Sequence, residues 1–216
     1  MKRVRIKICG ITSIKDLQVA VEAGVDAVGF VVDTPQSPRN LSLERAEELI
    51  KATPVFIERV IVTVLKDPAR LERIYRKLNP DIIQIHGSTS MFRKVCEQLP
   101  DARIIGAVHL RSDFTVDEAI EVAAVSDAVL TDAYVPGKYG GTGVPNDWKT
   151  CKCIREAIHP KPLILAGGLK PENVKDAISM VKPYAVDVSS GVESQPGVKD
   201  PWKVFEFVKN VREVKL

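Results

Sequence analysis

Long apolar runs are missing from this chain of 216 residues. No stretch approaches the ~20 residues that a bilayer-spanning helix needs. No export signal is expected either, because the charged first residues lead directly into a strand-like run. Cysteine is sparse. Cys9, Cys96, Cys151 and Cys153 have neither the density of a disulfide scaffold nor the paired spacing of a zinc site. Cys151-Lys152-Cys153 finds no metal-binding partners, and reduced thiols in a cytoplasmic protein are the expectation. Charge of one sign is also lacking: 31 Lys and Arg face 28 Asp and Glu, a net charge of +3. The basic residues are scattered, so neither nucleic acid nor an anionic membrane is implied as a partner, while a small anionic substrate would suit the slight excess. No linker or low-complexity segment divides residues 1–216, which read as one domain. With 45% hydrophobic and 27% charged residues, the balance is that of a soluble globular protein.

What the chain does have is repetition. Short β-branched runs alternate with longer amphipathic stretches. The strand candidates are Val4–Ile8, Ala27–Val32, Phe56–Leu65, Ile82–Ile85, Ile104–Val108, Ala128–Thr131, Pro162–Ala166 and Ala185–Val188. Helical periodicity covers Ile14–Ala23, Leu43–Lys51, Pro68–Leu78, Ser90–Leu99, Val116–Val125, Asp147–Ile158, Pro171–Val181 and Pro201–Val211. Ser42, Asp67 and Lys170-Pro171 supply start signals. Eight strand–helix units, apolar on both strand faces, predict an α/β fold: a single-domain (β/α)8 TIM barrel. The alternative, a doubly wound open sheet, would carry Gly-x-Gly-x-x-Gly in its first turn, and this chain does not.

A barrel of this kind does its chemistry where strands end at their C-termini. Unusual polar residues collect there. Strand one ends Lys7-Ile8-Cys9-Gly10, with Lys7 and Cys9 on one face and Val4, Ile6 and Ile8 on the other. The loop after strand two holds Asp33 to Arg39, and strand four ends Gln84-Ile85-His86-Gly87, with Gln84 and His86 on one face. Strand six ends at Thr131-Asp132, and strand eight runs Asp187-Val188-Ser189-Ser190-Gly191. The opposite ends carry ordinary turns such as Ala23-Gly24 and Asn79-Pro80.

Several readings stay open at this level. Cys9 is open to three: nucleophile, base or buried hydrophobe. A thiolate base would need its pKa lowered by a cation, for which Lys7 and Arg39 are the candidates. Asp132 reads as a general acid with a raised pKa or as a loop cap. His86 reads as catalytic or as a hydrogen-bonded structural histidine, and His109 and His159 as incidental. Gly167-Gly168 and Ser190-Gly191 lie in the two loops where barrels hold phosphate, where glycine admits an anion to backbone N–H groups; tight turns are the plainer reading. The long glycine-rich loop from Asp132 to Gly143 reads as a lid.

Taken together, Lys7-Ile-Cys-Gly-Ile-Thr, Ser37-Pro-Arg39, Gln84-Ile-His-Gly, Thr131-Asp132 with Gly140-Gly-Thr-Gly, Ala166-Gly-Gly-Leu and Asp187-Val-Ser-Ser-Gly-Val-Glu resemble the phosphoribosylanthranilate isomerases of tryptophan biosynthesis, from about residue 4 to residue 200. The resemblance implies an Amadori rearrangement without cofactor or metal, with Cys9 as general base and Asp132 as general acid. It implies Arg39 at the anthranilate end and Gly167, Gly168, Ser190 and Gly191 at the phosphate. Gln84, His86 and Asp187 complete the candidate substrate contacts. The expected assembly is a monomer or homodimer. Asn40, Gln36 and Val144-Pro145-Asn146 depart from the family pattern. Two other readings compete. Indoleglycerol-phosphate synthase relies on a lysine and glutamates at its strand ends, where this chain offers Cys, Asp and Arg. A sugar-phosphate sensor would have no need of both Cys9 and Asp132.

Overall fold

Eight of the β-branched runs become parallel strands because each has apolar matter to bury on both faces. The computed structural model describes residues 3–133 and 146–215. In it the barrel strands, counted one to eight, are Arg5–Cys9, Ala27–Val32, Glu58–Val64, Ile82–His86, Arg103–Leu110, Ala128–Ala133, Leu163–Leu165 and Ala185–Val188. Each pairs in parallel with the next, and strand one pairs with both strand two and strand eight, which closes the sheet. Helices α1 (Ile14–Glu22), α2 (Leu43–Ala52), α3 (Pro68–Leu78), α4 (Thr89–Gln98), α5 (Val116–Val125), α6 (Trp148–Ala157), α7 (Val174–Val181) and α8 (Pro201–Glu213) follow strands one to eight in turn.

The side-chain alternation divides the interior in two. Ile6, Ile8, Val28, Phe30, Ile83 and Ile85 point outward into the large core shared with the helices. Cys9, Val31, Val60 and Val62 pack together inside the barrel, and Ile105, Leu130 and Ile164 form a second inner cluster. This is a filled barrel whose inner face turns polar only at the C-terminal rim. Local chemistry sets the helix starts. Ser13 and Ser42 accept the amides of Asp16 and Arg45 at 3.0 and 3.1 Å, and Asp67 caps α3 just before Pro68.

Three features depart from the sequence expectation. Strand three begins at Glu58 rather than Phe56, because Phe56 takes φ 73° and projects into solvent at 98% exposure. Helix α7 begins at Val174 rather than Pro171. Residues 171–173 form a turn, and the Asn173 side chain accepts the Lys170 amide at 2.9 Å and donates to the Gly168 carbonyl at 2.9 Å. A short hairpin, Glu193–Gln195 with Val198–Lys199, follows strand eight, where no sequence periodicity marks an element. Among the described residues no helix is long and apolar enough to cross a membrane.

Lys182 ends α7 in the left-handed region at φ 51° with its side chain exposed. That conformation costs a residue with a Cβ about 1–2 kcal/mol, of which glycine's greater unfolded freedom returns part. Lys182→Gly is expected to raise stability by about 0.5–1 kcal/mol. The urea unfolding midpoint measures it, and a lowered midpoint would refute the account.

Candidate active site

The inner face of strand one sets the centre of the site. Lys7 and Cys9 lie two residues apart on that face, and both are buried. Lys7 stands opposite Asp187 in the register with strand eight and donates to Asp187 Oδ1 at 3.0 Å. Cys9 stands opposite Gly29 of strand two. A Cβ on Gly29 would lie 2.9 Å from Cys9 Sγ and 3.2 Å from Lys7 Cε, so only glycine leaves the thiol its place. Burial lowers the Lys7 pKa, but Asp187 and Cys9 together outweigh it and hold the amine above its usual value. Burial dominates at Cys9. It pushes the thiol upward with help from Asp187, and Lys7 and Lys199 only partly offset it. The lowered thiol expected from the sequence is therefore not found: the cation is present, but desolvation exceeds its effect.

Arg39 arrives from the loop after strand two and is buried at its end. Its Nε and Nη2 donate to both oxygens of Glu193 at 2.7 and 2.6 Å. Glu193 also accepts Lys199 Nζ at 2.8 Å, and that amine donates to the Cys9 carbonyl at 2.6 Å and the Ser189 carbonyl at 3.3 Å. Two cations thus share one carboxylate. Gly10, at φ 75°, makes room for this arrangement, since a Cβ there would meet Arg39 Cδ at 2.4 Å. Asn40, a departure from the family pattern, accepts the Thr34 amide at 2.7 Å and so pins this loop.

Strands four to six supply the opposite wall. Gln84 and His86 share a face, as expected, with Gln84 Nε2 3.1 Å from His86 Nε2. The other His86 nitrogen, Nδ1, lies 3.0 Å from His109 Nε2. His109 is thus no incidental residue: it stands opposite Asp132 in the register of strands five and six. Burial, then His109 and Lys7, drop the His86 pKa to about 3, so this imidazole is neutral. Asp132 is buried and accepts the Ala133 amide on Oδ1 at 2.9 Å. Burial and then the Asp187 charge raise its pKa to about 6, against the pull of that amide and of Lys7.

Loops seven and eight close the site. Gly167 and Gly168 take φ 85° and 64°. Gly167 lies against strand six, where a Cβ would meet the Ala133 nitrogen at 2.5 Å. Gly191 abuts loop seven, where a Cβ would meet the Leu169 carbonyl oxygen at 1.9 Å. Close backbone packing alone therefore requires glycine at both positions. Ser189 Oγ is buried without a hydrogen-bond partner among the described residues. Asn146, at the far root of loop six, donates to the Ala166 carbonyl at 3.1 Å. The lid expected from the glycine-rich sequence after Asp132 falls largely on residues 134–145, outside the described residues.

Cys9, Arg39, Gln84, His86, Asp132 and Asp187, with the loop residues Gly167, Gly168, Ser190 and Gly191, line one cleft of about 730 Å3 of empty space, its open mouth included. The structure thus brings every candidate residue to one rim. Sequence reasoning missed Glu193, Lys199, Gly29 and Ser189. Of these, Glu193 and Ser189 stood within a quoted motif, whereas Gly29 and Lys199 carried no local signal. Lysines and a glutamate do stand at the rim, where Lys7 and Lys199 are paired with Asp187 and Glu193.

A closed parallel barrel that gathers a thiol, a carboxyl and paired buried cations at its C-terminal rim defines the molecule as a (β/α)8-barrel enzyme. The family model of N-(5'-phosphoribosyl)anthranilate (PRA) isomerase matches residues 6–210. The N-(5'-phosphoribosyl)anthranilate isomerase of Methanothrix thermoacetophila is 46% identical over 213 residues, 96% of this chain and 98% of that protein. The crystal structure of phosphoribosyl anthranilate isomerase from Thermotoga maritima superposes with a TM-score of 0.85 at 37% identity, over 98% of this chain and 100% of that one. Another structure of such an isomerase, in complex with reduced 1-(o-carboxyphenylamino)-1-deoxyribulose 5-phosphate, has a TM-score of 0.82 at 35% identity over 98% and 100% of the two chains. The chain belongs to the N-(5'-phosphoribosyl)anthranilate isomerase family, enzymes of tryptophan biosynthesis that catalyse an Amadori rearrangement.

A buried thiol with a raised pKa reacts slowly with alkylating agents at neutral pH. Cys9 is expected to be modified by iodoacetamide much more slowly than exposed Cys153 at pH 7, and to accelerate only above pH 9, the usual thiol value. Peptide mass spectrometry across pH reads this, and fast neutral modification of Cys9 would refute it.

Proposed function

We propose that this cleft rearranges N-(5-phosphoribosyl)anthranilate to 1-(2-carboxyphenylamino)-1-deoxyribulose 5-phosphate, with Asp132 as general acid and Cys9 as general base. The observation that carries the assignment is a buried carboxyl with a pKa of about 6 facing the same cleft as a buried thiol. Asp132 protonates the ribose ring oxygen, and the ring opens to a Schiff base. Cys9 takes the proton from C2′, and the resulting enolamine tautomerises to the ketone. The compound bound in the related isomerase is a reduced form of that product, which supports this substrate.

The two groups exchange the order that ordinary acid–base catalysis would give them. The carboxyl is the stronger acid of the pair, so at neutral pH the single shared proton rests mainly on sulfur. Catalysis draws on the minor arrangement, with carboxylic acid and thiolate, which carries the same total charge. Its share is constant between the two macroscopic pKa values. The thiolate so formed is a strong base because its pKa is high.

In this assignment Arg39 keeps Nη1 outside its fork with Glu193, and that nitrogen pairs with the anthranilate carboxylate. Gly167, Gly168, Ser190 and Gly191 offer backbone amides to the phosphate, and the unpartnered Ser189 hydroxyl joins them. Gln84 and His86 border the ribose, and Asp187 orients Lys7 beneath the thiol. We place the reaction in the cytoplasm, where the four unpaired cysteines would stay reduced.

Turnover of freshly made phosphoribosylanthranilate, followed by loss of its fluorescence, tests the assignment. Asp132→Asn and Cys9→Ser should each lose at least about a hundredfold in kcat while still binding substrate. Wild-type rates in either variant would remove that residue from its role. The pH profile of kcat/KM should be a bell. It falls below about pH 6 as both groups become protonated, and above pH 9 as both lose the proton. Gly29→Ala, which crowds the thiol, should cut kcat/KM about a hundredfold with the fold kept by circular dichroism; an unaffected rate would show that thiol placement is not limiting.

A further inference from the structure

One histidine at the rim is left unused by the acid–base assignment. His109 takes no part in it, yet a nitrogen of His109, a nitrogen of His86 and a carboxylate oxygen of Asp132 all lie within 4.8 Å of one another. They come from three adjacent strands, with His109 directly opposite Asp132 and His86 opposite Ala107, two residues before His109. The geometry points to a site for a zinc-type divalent cation on His86, His109 and Asp132, occupied at the expense of catalysis.

Three features carry this. The first is spacing. Two nitrogens bound tetrahedrally to zinc at 2.0–2.1 Å stand roughly 3.3 Å apart. His86 Nδ1 and His109 Nε2 are 3.0 Å apart, so a small opening of the pair admits the ion. The second is the donor set. Two imidazoles and one carboxylate are ligands of the zinc class, and three protein ligands leave a fourth position for water at the open cleft.

The third feature is Gln84. It is 2% exposed, and its Oε1 has no hydrogen-bond partner among the described residues. Its amide nitrogen now faces His86 Nε2 at 3.1 Å, which makes that nitrogen the acceptor and leaves the ring proton on Nδ1, toward His109. Metal binding at Nδ1 needs the other tautomer. A flip of the Gln84 amide turns the unpartnered oxygen toward Nε2, where it accepts the ring proton. This is the outer-sphere hydrogen bond that metal-bound histidines ordinarily make. Asp187 repels Asp132, which a cation between the strands relieves, while Lys7 near His86 and Arg111 near His109 oppose the ion, so the donor set rather than the field carries the binding.

An ion at this site takes Asp132 out of proton transfer, so the inhibition rests on the proposed role of Asp132, whereas the binding does not. The test is a titration of tag-free enzyme with Co2+, read by visible absorption, beside Zn2+ inhibition of turnover. The proposal expects one Co2+ per chain, visible bands without a thiolate charge-transfer band, and inhibition by Zn2+ that EDTA reverses. His109→Ala and the milder His109→Asn should turn over near the wild-type rate. They should lose the cobalt bands and need at least about tenfold more Zn2+ for half-inhibition. Cobalt bands that persist in both variants, a thiolate band that places the ion on Cys9, or no bound Co2+ would each overturn the site. Metal bound through His109 without loss of turnover would keep the site and overturn Asp132 as the acid.

Discussion

Glu193 sits between two buried cations, and the working geometry of the rim depends on it. Its oxygens take the Arg39 fork and the Lys199 amine, and the Lys199 side chain has no solvent exposure. Charges so far from water persist only when paired, and removing one partner typically costs ~3–5 kcal/mol. The pairing therefore holds three segments at once. Arg39 brings the loop after strand two across Gly10, Glu193 and Lys199 bring the hairpin after strand eight, and the Lys199 amine grips the Cys9 carbonyl. The thiol is held by an ion-pair network belonging to other strands.

The second buried pair, Lys7 with Asp187, acts on the chemistry rather than on the scaffold. Asp187 raises both the Cys9 thiol and the Asp132 carboxyl, and Lys7 lowers both. Because the pair is nearly neutral, burial decides the outcome at each group. Burial moves both upward, which weakens the thiol as an acid and strengthens the thiolate as a base. In the proposed assignment, burial thus gives up population of the carboxylic acid–thiolate arrangement and gains basicity in it.

The barrel was legible because its period is long and repeated: eight apolar runs at similar spacing leave few alternatives for burying both faces of each strand. The misreadings are local. Phe56 looks like a strand residue but is exposed at a turn, where φ 73° rather than hydrophobicity governs. Pro171 looks like a helix start, but the Asn173 side chain ties the preceding turn and delays α7. The hairpin carrying Glu193 and Lys199 is too short to show a period of two. The site divides the same way. Cys9, Arg39 and Asp132 were visible because unusual residue types end strands there. Lys199 was not, since its partners lie 6 to 190 residues away and nothing in sequence joins them.

What joins them is register. Lys7 with Asp187, Cys9 with Gly29 and His109 with Asp132 are each neighbours across a pair of parallel strands. In a closed barrel the register of each pair fixes the height of the next, so one slip would move every side chain on that strand to the other face. The glycines follow from the same constraint. Gly29 is small because Cys9 lies beside it, and Gly191 because the Leu169 carbonyl does. These residues answer to a neighbour before they answer to any ligand. The phosphate site proposed in loops seven and eight would use backbone that close packing has already placed, with its amides held in position before an anion arrives.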